Sequence, residues 1–226
     1  MILNQNEKEF KTLALKNKDI EQLFRESQVM IDIIEAHDVV KAALEDYGLN
    51  SDKINAFKSQ HTTSVTKYEL QLTKYGVRSS ISQQFKQKKR ELDEMYSDHV
   101  GLAREVLEDA PDLLELLDLY GDRKTTLAGY FAQVKRFYNN ALANDTAKTR
   151  LSGFGLTQER LEAGLQLAEE TETANSQIHD AASDAEKATR ERNDSVAALA
   201  KERRRILTVA GVALKDQPEL LDQLKG

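Results

Sequence analysis

Histidine, aspartate and glutamate side chains are the groups of this chain that could bind a metal or transfer protons. The sequence has four histidines and no cysteine, so thiolate nucleophiles, thiolate metal sites and disulfides are excluded. A di-iron site in a helical bundle uses a glutamate three residues before a histidine, because groups one turn apart can share a metal. No histidine has a glutamate at that position; the four are His37, His61, His99 and His179. A ferritin-like site is therefore disfavoured, although a site built from carboxylates alone stays open.

His99 lies on the apolar face that Leu92, Ala103 and Val106 trace along a predicted helix. This position predicts a partly buried histidine that makes a hydrogen bond, and we favour that interpretation. The alternative hypothesis is a metal-binding or small-ligand-binding helical bundle that uses carboxylates and His99 in a core cavity. A stoichiometric metal in protein purified without added chelator would favour this alternative.

Two basic clusters, one at Lys86–Arg90 and one at Lys201–Arg205, could bind phosphate groups or an anionic lipid surface. Acidic residues flank both clusters, and this pattern predicts solvated helix faces with ion pairs at spacings of three and four. The net charge of −6 and the pI near 5.4 argue against a nucleic-acid binder, which needs a basic face to displace counterions. Attachment to an anionic surface stays a secondary hypothesis, and it would use Lys86, Lys88, Lys89, Arg90, Arg203, Arg204 and Arg205.

Known catalytic and phosphate-binding motifs do not occur in the sequence. Gly153-Phe154-Gly155 lacks the Lys-Ser/Thr pair of a phosphate loop and is interpreted as a helix stop. There is no Gly-x-Ser-x-Gly, no His-Glu-x-x-His and no zinc-ligand spacing. We therefore predict a non-enzymatic protein with no catalytic, cofactor-binding or metal-binding residues and no cofactor.

The elements that carry these residues occur twice. Residues 24–119, moved forward by 107 positions (131 − 24 = 107), align without a gap with residues 131–226. The only two prolines of the chain coincide in this alignment, as do both glycine helix stops. A period of this length indicates two copies of one supersecondary unit. We predict two helical repeats, copy one (residues 1–120) and copy two (residues 121–226). The coinciding pairs include Phe24/Phe131, Gly48/Gly155, Leu92/Leu199, Ala103/Ala210 and Pro111/Pro218.

The apolar spacing predicts a first helix from about Leu15 to Asp46, ending at Tyr47-Gly48-Leu49, with an equivalent stop at Phe154-Gly155-Leu156. Asn50 and Thr157 are predicted to cap the next helices, with an acid in each first turn. Each copy closes with a short helix that starts at its proline, predicted at Leu113 to Leu119 and at Leu220 to Leu224.

The segments 51–109 and 158–216 allow two interpretations. A stop signal at Gly76 and possible capping residues near Ser183 favour a fold-back in the middle of each segment, which would give three helices per copy. We lean towards the fold-back. One long helix per copy remains a serious rival, because strong helix formers surround Ser183.

Composition places the chain in the all-α class. Charged residues make up 31% and aromatic residues 6% of the chain, which is typical of helices with a narrow apolar stripe. We predict an elongated antiparallel helical bundle built from two tandem copies of a repeat of about 107 residues. No signal peptide is recognised in residues 1–7, and no apolar run has the length of a membrane span. We predict that the protein is cytoplasmic and soluble. We also predict that it is a protein-interaction or scaffolding module, which binds a protein partner or associates with itself.

Copy two also resembles a loose group of uncharacterised bacterial proteins that are predicted to be helical. The resemblance covers residues 155–226 and extends weakly to copy one. The chain differs from the group in lacking an aromatic residue near Lys201 to Arg205, where a tryptophan is often found. The resemblance implies an all-helical repeat and no activity. It depends on Gly155-Leu156-Thr157, Glu159-Arg160-Leu161, Ala163-Gly164-Leu165, Val209-Ala210, Leu214, Pro218 and Leu220-Leu221.

Overall fold

The computed structural model describes residues 16–226, which are helical and contain no strand. Leu15, at the start of the predicted first helix, and residues 1–7 lie outside the described residues. The described part of the chain forms eight helices: α1 (Asn17–Ala36), α2 (Asp38–Asp46), α3 (Ser51–Val106), α4 (Pro111–Leu116), α5 (Leu127–Ala143), α6 (Asp145–Ser152), α7 (Gln158–Ala213) and α8 (Pro218–Lys225).

The predicted single helix up to Asp46 is wrong, because the chain breaks at His37 between α1 and α2. His37 has an extended backbone (φ −117°, ψ 102°), which interrupts the helix. Asn144 has a similar backbone between α5 and α6 (φ −101°, ψ 109°). Its side chain accepts a hydrogen bond from the backbone N–H of Ala147 (2.9 Å) and so caps α6. Each new helix begins with an aspartate, which the positive end of the helix dipole stabilises.

The favoured fold-back near Gly76 and Ser183 is also wrong. Both residues lie inside continuous helices, α3 and α7, each of which contains 56 residues. One glycine inside a helix costs about 1 kcal/mol relative to alanine, and tertiary packing of a long helix can offset a cost of that size. The rival interpretation, one long helix in each copy, is confirmed.

Glycine stops precede both long helices, as predicted. Gly48 and Gly155 have φ values of 79° and 86°, a region that costs glycine little because it has no Cβ. The backbone N–H of the following leucine bonds back to the preceding helix, Leu49 to Leu44 (2.9 Å) and Leu156 to Leu151 (3.1 Å). The predicted cap at Asn50 is confirmed, since its side chain accepts a hydrogen bond from the N–H of Lys53 (3.2 Å).

The short closing helices begin at their prolines, as predicted, with Pro111 opening α4 and Pro218 opening α8. The predicted end of α4 at Leu119 is wrong. The helix ends at Leu116, and Asp118 adopts a left-handed backbone (φ 57°).

The chain divides into two compact units that do not coincide with the two copies. Unit 1 contains residues 16–74 of the described chain together with Asp184–Gly226, and unit 2 is Tyr75–Ser183. The boundary between residues 120 and 121 stays a prediction about the copies. Within residues 16–226, no helix combines the length and the apolar composition needed to cross a bilayer.

Each unit has its own hydrophobic core. In unit 1, α8 packs against α1. That core is mostly aliphatic and includes Ile20, Met30, Ile31, Ile34, Leu44, Leu199, Ile206, Leu214 and Leu224. The core of unit 2 is rich in aromatic residues and includes Tyr96, Tyr130, Phe131, Phe137 and Tyr138 beside Leu92, Leu107 and Leu151.

Candidate functional site

A cleft of about 240 Å³ opens in unit 2 between α3, α5 and the segment 117–126 that connects α4 to α5. Arg104 fixes this segment, because its Nε donates to the carbonyl of Leu119 (2.9 Å) and its Nη2 to that of Gly121 (3.2 Å). Gln133 of α5 accepts a hydrogen bond from the N–H of Lys124 (3.0 Å). Helix side chains therefore hold the wall of the cleft through its backbone groups.

A charged and aromatic cluster lies on one side of the cleft. Arg123 Nη2 donates to Asp93 Oδ1 (2.6 Å) and to the hydroxyl of Tyr130 (3.1 Å). Lys89 Nζ also donates to Asp93 (2.6 Å) and lies 3.9 Å from the centroid of the Tyr130 ring. The Arg123 guanidinium stands over the Tyr130 ring as well, at 4.7 Å. The Asp93 carboxylate and the Tyr130 ring thus both contact the two cations Lys89 and Arg123. The cluster joins α3, α5 and the segment 117–126.

The surroundings of this cluster shift the pKa values of Asp93, Tyr96 and Tyr130. Burial alone would raise the pKa of Asp93, but hydrogen bonds from Lys89 and Tyr130 and the charges of Lys89 and Arg123 lower it below its ordinary value. Burial, followed by the charge of Asp118, raises the pKa of Tyr96 to about 12. Burial and a hydrogen bond to Asp93 also raise the pKa of Tyr130. Near neutral pH, the phenols therefore stay protonated and Asp93 stays charged.

His99 occupies the environment that the sequence predicts. It is half-buried, and its Nδ1 lies 3.0 Å from the hydroxyl of Tyr138 on α5. Burial, with a smaller contribution from the charge of Arg160, lowers the pKa of this imidazole. The prediction of a partly buried, hydrogen-bonded histidine is confirmed. Across residues 16–226, no group of three or more histidine, aspartate and glutamate side chains could hold a metal ion.

The other three histidines have different environments. In unit 1, His61 Nε2 is 3.1 Å from the carbonyl of Phe24, and the two rings meet edge to face. His37 lies at the break between α1 and α2. His179 is exposed on α7, in unit 2.

Ion pairs already occupy part of the predicted basic surface. Lys89 pairs with Asp93 at the predicted spacing of four, whereas Lys88 pairs with Glu170 of α7. Arg203 is largely buried and pairs with Glu26 of α1 (3.0 Å). The exposed members of the set are Lys86, Arg90, Arg204 and Arg205.

Unit 1 contains a polar layer inside its core. Ser64 of α3 and Ser195 of α7 are buried, with their hydroxyl oxygens 2.9 Å apart. Gln60 Nε2 donates to the carbonyl of Ser195 (3.0 Å) and to its hydroxyl (3.1 Å). Close to this layer, the buried Arg192 donates to Gln71 Oε1 (3.3 Å). These contacts join α3 to α7, and sequence spacing did not single them out because their partners are 121 to 135 residues apart.

Two aromatic side chains are exposed at equivalent helix stops. Tyr47 is 55% exposed and Phe154 is 67% exposed, and each immediately precedes the glycine with positive φ. By contrast, Tyr68, Tyr96, Tyr130 and Tyr138 are buried, and Tyr75 is 42% exposed.

No protein-family model, curated protein or solved structure matches this chain. The contacts described above are therefore the basis for a functional conclusion. Buried serines of α3 and α7 join these helices, and two aromatic side chains at matched positions are exposed to solvent.

Proposed function

We propose that the chain is a non-enzymatic helical module for protein interaction or scaffolding, built from two tandem copies of a repeat of about 107 residues. The bounds of the long helices support the repeat. Helix α3 begins at residue 51 and α7 at residue 158 (158 − 51 = 107), and they end at residues 106 and 213 (213 − 106 = 107). The proposal includes the cytoplasmic location expected from the sequence.

Hydrogen bonds and ion pairs support an antiparallel arrangement of helices within each unit. In unit 1, Gln60 bonds with Ser195 and Lys74 pairs with Asp184 (2.7 Å), so residue numbers rise along α3 as they fall along α7. In unit 2, Lys88 of α3 pairs with Glu170 of α7. Antiparallel neighbours with matched apolar stripes are the common way for helices of this composition to bury a core.

The exposed aromatic pair is the observation that carries an interaction role. A single exposed apolar residue is ordinary on a protein surface, but aromatic side chains are enriched where proteins bind each other. Tyr47 and Phe154 recur at the same place in the two copies (154 − 47 = 107), although many surface positions around them differ. The glycine stop beside each ring fixes the backbone that carries it. We infer that these two rings contact a protein partner or a second chain.

Site-specific photo-crosslinking in the native host tests this proposal. A benzophenone amino acid replaces Tyr47 or Phe154, one at a time, and the matched control carries it at Val212, which is 52% exposed on α7. We expect positions 47 and 154 to crosslink the same protein, either a partner or another copy of this chain, and position 212 not to do so. Equal crosslinking patterns at all three positions would contradict an interaction role for the aromatic pair.

The hydrogen bond of His99 supports a packing role for this histidine over the metal-binding or ligand-binding alternative. Its Nδ1 faces the Tyr138 hydroxyl instead of a carboxylate. Metal analysis of protein purified without chelator tests the alternative directly. A stoichiometric transition metal that disappears in a His99→Gln variant would restore it.

A further inference from the structure

Each compact unit builds its core from both copies. In unit 1, copy one contributes α1, α2 and the part of α3 up to Lys74, whereas copy two contributes the end of α7 and all of α8. In unit 2, copy one contributes the rest of α3 and α4, and copy two contributes α5, α6 and the start of α7. Neither unit is therefore complete within residues 1–120 or within residues 121–226.

Polar contacts in unit 1 join the copies at named atoms. Arg203 of copy two pairs with Glu26 of copy one (3.0 Å), and it also donates to the carbonyl of Lys225 at the end of α8 (2.6 Å). Ser195 of copy two bonds with Gln60 and Ser64 of copy one. Apolar packing of α8 on α1 accompanies these bonds.

Unit 2 also contains polar contacts between the two copies. Arg150 of copy two donates to the carbonyl of Val106 (2.7 Å) and to the carboxylate of Asp109, both in copy one. Asn140 donates to the carbonyl of Leu116 at the end of α4 (2.6 Å). The hydrogen bond between His99 and Tyr138 also crosses from one copy to the other. These polar contacts thus join the two copies within each unit.

We propose that the two copies act as two covalently linked subunits. The natural partner of copy one is copy two, from the same chain or from a second chain. This inference rests on the tandem repeat proposed above. Its physical basis is that each copy, when separated, leaves two apolar core faces without the helices that cover them, and burial of apolar surface drives association. The partner chemistry is specified by the sequence itself: a second molecule of this chain carries the matching helices.

The connection between the copies provides a place to test the proposal in the full chain. It runs through residues 117–126, where Arg104 holds the backbone of Leu119 and Gly121, whereas Thr125 is exposed. A protease recognition sequence inserted between Lys124 and Thr125 allows the folded protein to be cut after purification. The uncut insertion protein is the control for any effect of the insertion itself.

We expect the cut protein to remain a one-to-one pair of fragments at micromolar concentration, with its helical circular dichroism unchanged. Its unfolding midpoint should become dependent on protein concentration, because unfolding then also separates two molecules. When two cut preparations, one isotopically labelled, are mixed, native mass spectrometry should detect hybrid pairs. Separation of the fragments at micromolar concentration, or stable cut pairs that never exchange even after partial unfolding and refolding, would overturn the proposal.

Two matched variants localise the association. Arg203→Ala removes an ion pair between the copies, whereas Lys58→Ala removes the pair between Lys58 and Glu35, both of which belong to copy one. We expect Arg203→Ala to raise the Kd of the cut fragments about tenfold, since hydrogen bonds of a charged, largely buried group are lost, and Lys58→Ala to change it about twofold or less. Equal effects of the two variants would contradict the assignment. The crosslinking result at positions 47 and 154 is independent of this one, so the two proposals can fail separately.

Discussion

The cores of unit 1 and unit 2 place different side chains at positions 107 residues apart. Ile31 and Met30 in unit 1 correspond to Tyr138 and Phe137 in unit 2, and Ile206 corresponds to His99. Unit 1 pairs its aliphatic residues with a buried layer of serine and glutamine, whereas unit 2 stacks aromatic rings edge to face. One helical frame therefore accepts two kinds of interior when large and small residues change together.

Gly164 and Tyr138 illustrate that compensation. The ring of Tyr138 fills the space that a Cβ at Gly164 would occupy, so this glycine is required by packing. In unit 1, the equivalent positions hold Phe57 and Ile31, both buried. A large residue on the long helix thus accompanies a smaller one on the facing helix, and the reverse combination fills the other core.

The largest expected effect comes from breaking this pair in unit 2. Gly164→Ala should lower the free energy of unfolding by roughly 2 kcal/mol, because the added methyl group overlaps a buried ring. Combined with Tyr138→Leu, the change should cost less than the sum of the single variants by about 1 kcal/mol. Urea unfolding gives the energies, and hydrogen exchange locates the loss in peptides of unit 2.

Gly101→Ala is the matched control, because nothing lies within 4 Å of a Cβ at this helical glycine. Better helix propensity should stabilise that variant by about 0.5–1 kcal/mol. If Gly164→Ala behaves like Gly101→Ala, the size compensation between the two cores is refuted.

Ser27 in unit 1 and Val134 in unit 2 occupy equivalent positions, 107 residues apart (134 − 27 = 107). Both side chains are fully buried. The hydroxyl of Ser27 is buried without a hydrogen-bond partner. Ser27→Val should therefore stabilise the protein by about 1 kcal/mol, because a buried unsatisfied hydroxyl is costly. Val134→Ser, its mirror image, should destabilise it by about 2 kcal/mol. Thermal and urea unfolding measure both, and a loss of stability in Ser27→Val would show that its hydroxyl serves a bond.

The smallest expected effect is a pH dependence that belongs to unit 2. Because the pKa of folded His99 lies below its ordinary value of 6.5, the unfolded chain binds the proton first as the pH falls. The stability that neutral His99 contributes is complete above about pH 6.5 and is lost as the pH falls through the lowered folded pKa. His99→Gln should therefore flatten the fall in melting temperature between about pH 7.5 and 5.

His61→Gln is the control for this experiment, because it removes a histidine from unit 1 and leaves the contact between His99 and Tyr138 in place. It should leave the pH slope of unit 2 unchanged. If His99→Gln keeps the wild-type fall in melting temperature between about pH 7.5 and 5, the contribution of His99 is excluded.

Features that depend on neighbouring residues could be predicted from the sequence. The all-helical class, the left-handed glycines at 48 and 155, the cap at Asn50 and the first-turn prolines each follow from local backbone chemistry. The break at His37 was missed because apolar spacing continues on both sides of it. The continuity of α3 through Gly76 could not be predicted, because the stop signal is local whereas the packing that stabilises a long helix is not.

The candidate site was less predictable, because its partners come from distant parts of the chain. The hydrogen bond of His99 could be expected in kind, but the identity of Tyr138 as its partner depends on how α3 and α5 pack. Arg104 and Arg123 belong to no motif, and their roles depend on the course of the segment 117–126. Lys88 was expected to pair within its own helix and pairs with Glu170 on another.

The composition of the units has a consequence for the time course of synthesis on the ribosome. Unit 2 is one uninterrupted stretch of polypeptide, so it can fold once Ser183 has emerged. Unit 1 must wait for the final segment, which starts about 110 residues after its early part ends. At a translation rate of about 5–20 residues per second, the apolar face of α1 stays exposed for on the order of ten seconds. The nascent chain should therefore need chaperone protection mainly at α1, which is translated before the other described helices and becomes native last.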